Sequence, residues 1–132
     1  MKDSISESNA FVAGHKDNEI TMVGHSKGGV EAVANALASN KNCIVFNPAT
    51  TFIKENGVSN KDYTASMTVF IVKGEILHSA EGWLSRPVDK LIYLPTQYKS
   101  KWYDSSLTKL QNSINNHGME AVKKALKKEG YK

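Results

Sequence analysis

The chain has 132 residues, 40% hydrophobic and 23% charged, a composition that excludes disordered and fibrous proteins. No apolar stretch is long enough to cross a bilayer and the start lacks a signal-peptide pattern, so we expect one cytoplasmic domain over 1–132. The single cysteine, Cys43, excludes an internal disulfide, and its apolar neighbours predict a buried thiol.

Continuous apolar runs predict four strands, at residues 19–24, 42–46, 67–72 and 90–94. A helix is predicted over 27–39 with Asn40 as its stop, whereas no element is predicted for 1–18. Two helical stretches near the C-terminus have apolar faces: Leu107, Leu110 and Ile114, then Met119, Val122 and Leu126. Because the strands are apolar throughout, the expected fold class is α/β, with a small, mostly parallel sheet of about four strands.

The first predicted strand and helix enclose the pattern Gly-x-Ser-x-Gly, with Ser26 at its centre. A serine on a sharp strand-to-helix turn lifts its hydroxyl clear of the backbone and becomes accessible as a nucleophile. Such a turn needs nearly side-chain-free residues two before and two after the serine, and Gly24 and Gly28 occupy those positions. The pattern therefore predicts a nucleophilic Ser26, with the backbone N–H of Lys27 as an oxyanion donor.

A serine nucleophile needs a general base within hydrogen-bond reach. His117 lies at a break between two helical stretches near the C-terminus, which fits the chain order nucleophile, acid, base. His78, after the third strand, is an alternative. His15 precedes the nucleophile strand, and His25 adjoins Ser26, where neighbouring side chains point apart, so neither is expected to be the base.

The base in turn needs a carboxylate that orients it. Glu75 directly follows the third predicted strand, at the sheet edge where Ser26 is also expected. Glu81, Asp89 and Asp104 are the alternatives. Asp89 precedes the fourth strand and is therefore expected at the opposite end of the sheet.

The net charge of +4 is concentrated in lysines near the C-terminus: Lys123, Lys124, Lys127, Lys128 and Lys132. No aromatic residues interleave with them, which favours a solvated helix face over a nucleic-acid or anionic-membrane surface. The glycine motif lacks the order of a phosphate loop, and the histidines lack metal-ligand spacing. No metal or other cofactor is therefore expected.

Four short segments resemble successive blocks of the lipase class 3-like α/β-hydrolases. They are GHSKGG at 24–29, FNPA at 46–49, VKGEIL at 72–77 and HGM at 117–119. The resemblance extends from residue 20 to about residue 126 and implies the C-terminal portion of the fold, a truncated three-layer α/β sandwich. It also implies a triad of Ser26, Glu75 and His117, and adds Gly29 to the elbow. Family members more often carry aspartate where Glu75 stands.

In that family several strands precede the nucleophile strand, whereas eighteen residues precede it here. The nucleophile strand is therefore expected at a sheet edge, where an apolar strand invites pairing with another chain. We expect either a homodimer joined at this edge or an N-terminal segment, residues 4–14, that covers it. The second oxyanion donor normally comes from an earlier loop, for which this chain has no counterpart.

The expected function is hydrolysis of carboxylic esters, with lipids among the candidate substrates, through an acyl-enzyme on Ser26. The alternative is a catalytically silent hydrolase-like domain that serves in binding or assembly, because one oxyanion donor is missing. Several apolar loop residues either line an acyl site or belong to the core: Phe52, Ile53, Trp83, Leu84, Trp102 and Tyr103.

Overall fold

The computed structural model describes residues 2–48, 62–74 and 89–131. Within these ranges the helices are α1 (Lys2–Gly14), α2 (Ser26–Ser39), α3 (Ser106–His117) and α4 (Met119–Lys128). The strands are β1 (Thr21–His25), β2 (Asn42–Phe46), β3 (Met67–Val72) and β4 (Lys90–Leu94). The expected α/β class is confirmed.

The four strands form one sheet in the order β1-β2-β3-β4, and every neighbouring pair is parallel. The register places Val23 beside Ile44, Ile44 beside Thr68, and Thr68 beside Lys90. β1 begins at Thr21, two residues later than predicted. β2 begins at Asn42, which pairs with Thr21, so residues 19 and 20 have no partner on β2. The carboxyl ends of all four strands therefore lie at the same edge of the sheet, as a parallel arrangement requires.

Helix α2 covers one face of the sheet. Its buried side chains pack against alternate residues of β2 and β3: Val30, Val33, Ala36 and Leu37 against Cys43, Val45, Met67, Val69 and Ile71. Asn40 ends the helix in the left-handed conformation, as its position predicts. Burial raises the pKa of the Cys43 thiol to about 12, which agrees with the buried thiol expected from the sequence.

Helix α4 covers the other face of the sheet. Val122 and Ala125 pack against Phe70, Val72 and Leu94, and all five side chains are buried. The lysines of α4 point away from this core and are exposed: Lys123, Lys124, Lys127 and Lys128. The apolar face of α3 is different, because Leu107, Leu110 and Ile114 are exposed.

Helix α1 forms in the segment for which no element is predicted, and it lies against α2. Nδ2 of Asn35 donates to Oγ of Ser4 at 3.0 Å, and Oγ of Ser8 is 3.9 Å from the sulfur of Met22. Val23 on β1 remains 62% exposed. Among the described strands β1 lies at the edge of the sheet, which is the position expected for the nucleophile strand.

Candidate active site

Ser26 lies at the junction between β1 and α2. Its φ of 55° is in the left-handed region, a conformation that costs a non-glycine residue about 1–3 kcal/mol. The preceding residue, His25, is still extended, with φ −130° and ψ 141°. A serine held in a strained conformation between a strand and a helix has the backbone geometry of a nucleophile elbow.

Gly24 is required by the close approach of β1 to the first turn of α2. A Cβ at this position would lie 2.6 Å from the carbonyl carbon of Gly28 and 2.8 Å from Cα of Gly29. The steric requirement expected at Gly28 is not seen, since a Cβ there would meet no heavy atom of the described residues within 4 Å outside its own turn. Gly29 instead approaches a neighbouring segment, because a Cβ there would lie 3.2 Å from Cβ of Pro48.

His117, the candidate base, is the last residue of α3, and Gly118 separates it from α4. Nε2 of its ring lies 2.8 Å from Oγ of Ser26. This separation suits a general base that takes the serine proton. In that role Nε2 accepts the proton, so the neutral ring carries its own proton on Nδ1. The fold thus brings together two side chains that are 91 residues apart in the chain.

The main-chain carbonyl of His117 has two side-chain neighbours that act as donors. Nε2 of His25 lies 2.7 Å from this oxygen, and Nδ2 of Asn47 lies 3.0 Å from it. The last carbonyls of a helix have no partner within the helix, so these side chains satisfy an acceptor that α3 leaves open. Because His25 ends β1 and Asn47 follows β2 directly, both donors come from the carboxyl edge of the sheet.

Asn47 is fully buried and is bonded to backbone groups of two other segments, β3 and the end of α3. Its N–H donates to the carbonyl of Phe70 at 2.8 Å, and its Oδ1 accepts the N–H of Val72 at 2.8 Å. Its Nδ2 donates to the carbonyls of Asn116 and His117, each at 3.0 Å. Asn47 therefore joins the end of β2 to β3 and to the end of α3.

Asn116, which is also buried, fastens the same helix end to the segment after β4. Its Oδ1 accepts the N–H groups of Gln97 and Tyr98, each at 3.0 Å, and its Nδ2 donates to the carbonyl of Tyr98 at 3.0 Å. The sequence predicts neither asparagine as part of the site. Their partners lie 18 to 70 residues away and leave no local pattern.

Three predicted acids or bases lie outside the described residues, in the range 75–88: Glu75, His78 and Glu81. Asp89 lies at the amino end of β3, where its carboxylate accepts the N–H of Met67 at 2.9 Å, so its expected position far from Ser26 is confirmed. The carboxylate of Asp104 accepts the N–H of Lys101 within its own turn.

The remaining candidates are a histidine after α1 and a set of apolar loop residues. Nδ1 of His15 lies 2.7 Å from the carbonyl of Phe11, beyond the end of α1. Trp102 is 89% exposed, Tyr103 is 62% exposed, and their rings meet edge to face, so neither belongs to the core. Four of the apolar loop residues considered for an acyl site lie outside the described ranges: Phe52, Ile53, Trp83 and Leu84.

The first turn of α2 supplies the electropositive part of the site. Its backbone N–H groups have no partner within the helix, and the N-terminus of a helix carries a partial positive charge. Lys27, whose N–H is the expected oxyanion donor, follows Ser26 directly in this turn. The arrangement thus offers a hydroxyl, a base and a positive helix end to a substrate carbonyl group.

A cavity of about 290 Å³ opens beside the elbow, on the side of β1 that faces away from β2. Its lining comes from β1, α1 and α2, and includes Ser4, Met22, Val23, Gly28, Ala32 and Asn35. Because Gly28 has no side chain, the first turn of α2 stays open to this cavity.

In the part of the chain that the structure describes, no three histidine, cysteine, aspartate or glutamate side chains are grouped so that they could hold a metal ion. No described helix combines the length and the apolar character needed to cross a membrane.

No protein-family model matches the chain, and no curated protein matches it in sequence. The function proposed for the site is therefore carried by the geometry of Ser26 and His117 and by the segments of α2, β1 and β2 that hold them.

Proposed function

We propose that this protein is a serine hydrolase that cleaves carboxylic esters through an acyl-enzyme. The observation that carries the proposal is the 2.8 Å separation between Oγ of Ser26 and Nε2 of His117, with Ser26 in a strained turn between a strand and a helix. Nucleophile and base at hydrogen-bond distance form the working part of the serine hydrolase mechanism.

In the first half of the reaction, His117 takes the proton of the Ser26 hydroxyl as Oγ attacks the ester carbonyl carbon. The negative charge that develops on the carbonyl oxygen is stabilised by the N–H of Lys27 and by the positive end of α2. When the tetrahedral intermediate collapses, His117 gives its proton to the leaving alkoxide, and the alcohol departs. Ser26 then carries the acyl group as an ester.

In the second half, water replaces the alcohol. His117 takes a proton from the water as its oxygen attacks the acyl carbon, and it returns that proton to Oγ of Ser26 when the carboxylic acid leaves. We assign the orienting carboxylate to Glu75, on the resemblance of the surrounding segment to the lipase class 3-like hydrolases. The same resemblance leads us to treat the domain as the C-terminal portion of an α/β-hydrolase fold, with lipids among its ester substrates.

The outer edge of β1 supports a further part of the proposal, namely a homodimer. Among the described strands β1 pairs only with β2, and the side chain of Val23 on β1 is 62% exposed. An unpaired edge with an exposed apolar side chain favours association with another strand. A second copy at this edge lies beside the elbow, where a second oxyanion donor is needed.

A fluorophosphonate probe tests the proposed function, because it reacts only with an activated serine. We expect the wild-type protein to be labelled, Ser26→Ala and His117→Ala to be unlabelled, and Ser106→Ala to be labelled like the wild type. Ser106 is a matched control because it is an exposed serine that also begins a helix. A folded wild-type protein without labelling would contradict the proposal and favour the catalytically silent binding or assembly domain.

A series of p-nitrophenyl esters tests the substrate class. Turnover that rises from acetyl to octanoyl esters supports a lipid-like substrate, whereas turnover that is highest with acetyl esters supports a short-chain esterase. Both profiles should disappear in Ser26→Ala.

A further inference from the structure

The ring of His25 has a defined partner in the candidate site. Its Nε2 lies 2.7 Å from the main-chain oxygen of His117. A carbonyl oxygen can only accept a hydrogen bond, so Nε2 of His25 carries a proton. The rings of His25 and His117 lie 5.2 Å apart and are tilted by 38°. A protonated nitrogen that faces a carbonyl is not a general base, so Nε2 of His25 acts as a hydrogen-bond donor.

We propose that His25 is a positioning residue, which holds the main chain of His117 so that Nε2 of that histidine stays within reach of Ser26. This inference rests on the proposed function, since it assigns His25 to the same reaction. It goes beyond the nucleophile, base and acid because the contact that His25 makes is with the main chain of His117, whereas the ring of His117 contacts Ser26.

The connectivity supports this role. His25 and Ser26 share a peptide bond, and each side chain contacts a different part of His117. Ser26 lies against the ring at 2.8 Å, and His25 lies against the carbonyl at 2.7 Å. The covalent bonds and the two hydrogen bonds thus form a closed ring of contacts. A displacement of the main chain of His117 away from β1 stretches both hydrogen bonds, so the bond to His25 opposes movements that separate the ring from Ser26.

Asn47 strengthens the same attachment from the second strand. Its Nδ2 also lies 3.0 Å from the carbonyl of His117, so one oxygen receives donors from two strands. Asn47 is fully buried, whereas His25 is only half-buried. A change at His25 therefore removes one of the two donors and leaves the buried one, and the fold is expected to survive it.

The expected consequence is kinetic. A displacement of about 1 Å at a catalytic group costs about a hundredfold in rate. Loss of the His25 bond loosens the base without changing the surface that meets the substrate. We therefore expect kcat to fall while KM stays nearly constant, which separates positioning from substrate binding.

The test compares three histidine variants. His25→Phe keeps a ring and removes the donor, whereas His25→Gln restores a donor, because the glutamine amide nitrogen reaches the position of Nε2. His15→Phe is the matched control, since His15 also contacts a main-chain carbonyl but lies outside the site. We expect His25→Phe to lower kcat for p-nitrophenyl butyrate and the fluorophosphonate labelling rate by about 10- to 100-fold. His25→Gln should recover to within about fivefold of the wild type, and His15→Phe should match it.

Two results would overturn the inference alone: a folded His25→Phe protein that is labelled as fast as the wild type, or a His25→Gln protein that is as slow as His25→Phe. A wild-type protein that is never labelled overturns the proposed function, and this role with it. If His25→Phe does not fold, nitrogen-15 NMR of Ser26→Ala decides the point. The inference requires the His25 proton on Nε2, and a proton found on Nδ1 alone contradicts it.

Discussion

The two sides of β1 differ in how completely they are bonded. On the inner side β2 pairs along the whole strand, and donors from the ends of both strands meet the carbonyl of His117. On the outer side no described strand pairs with β1, Val23 is 62% exposed, and a cavity of about 290 Å³ opens beside the elbow. The inner side of β1 thus supplies two donors that hold the main chain of His117 beside Ser26. On this outer side α1 contributes Ser4 to the cavity lining, and Oγ of Ser8 lies 3.9 Å from the sulfur of Met22.

The largest expected effect on stability comes from Asn47→Ala, which removes the buried side chain that joins β3 to the end of α3. The change leaves the N–H of Val72 and the carbonyl of Asn116 without this partner, and it places alanine at a φ of 42°. Each unsatisfied buried group costs about 1–3 kcal/mol, so we expect a loss of about 3 kcal/mol in the free energy of unfolding. Urea denaturation measures it.

Asn112→Ala is the control for Asn47→Ala, because the Asn112 amide bonds to Ser100 in an exposed setting. We expect a loss of less than about 0.5 kcal/mol for this variant. A similar loss in both proteins would mean that the inner side of β1 does not depend on Asn47.

The next largest effect is expected for Gly24→Ala, which tests the close contact between β1 and the first turn of α2. The added methyl group overlaps the backbone at Gly28 and Gly29, and we expect a loss of about 2 kcal/mol together with loss of probe labelling. Gly28→Ala is the matched variant, and should be neutral or more stable by about 0.5 kcal/mol, since alanine favours a helix and the space is open. Equal losses would contradict the steric difference between the two glycines.

A smaller effect is expected from the pH dependence of stability, which depends on Cys43 in the core between the sheet and α2. Burial raises the pKa of the Cys43 thiol to about 12, so the folded state keeps a proton that the unfolded chain releases near pH 8.5. The stability from this group is complete below about pH 8.5 and is lost as the pH rises towards 12. At pH 10 the wild type should have lost about 1–2 kcal/mol relative to pH 8.

Cys43→Ala is the reference for this pH dependence, because it removes the thiol and keeps the other titrating groups. Burial, together with the charges of Cys43 and Asp89, also raises the pKa of Tyr63 to about 12, so Tyr63 titrates in both proteins but loses the Cys43 contribution in Cys43→Ala. Parallel stability curves for the wild type and Cys43→Ala between pH 8 and 11 would show that the thiol has no part in the loss.

The smallest effect on stability is expected for Val23→Lys, which changes the outer side only. Because Val23 is 62% exposed, the free energy of unfolding of the single chain should change by less than about 0.5 kcal/mol. The charge should nevertheless prevent association at this edge. Light scattering after size exclusion should therefore give twice the chain mass for the wild type and a single chain mass for Val23→Lys. A wild-type monomer at low micromolar concentration would contradict the proposed homodimer.

The strands and α2 are predictable because their patterns are local. The apolar runs at 42–46, 67–72 and 90–94 coincide with β2, β3 and β4, and α2 begins within one residue of its prediction. The pairing of Ser26 with His117 is reachable from chain order. Helix α1 could not be predicted from the sequence, because its exposed Phe11 and mixed polar residues give no clear apolar face. The roles of His25 and Asn47 are not predictable either, since each depends on a carbonyl about seventy or more residues away.

The conformation and bonding of Asn47 together restrict which amino acid can stand at that position. A φ of 42° favours glycine, asparagine and aspartate among the twenty residues. The bonds to Val72 and to the end of α3 require an acceptor and a donor on one short side chain. Glycine has neither, and aspartate lacks the donor when ionised. In a saturation library selected for folded protein, position 47 should therefore return asparagine almost exclusively, even without any selection for catalysis.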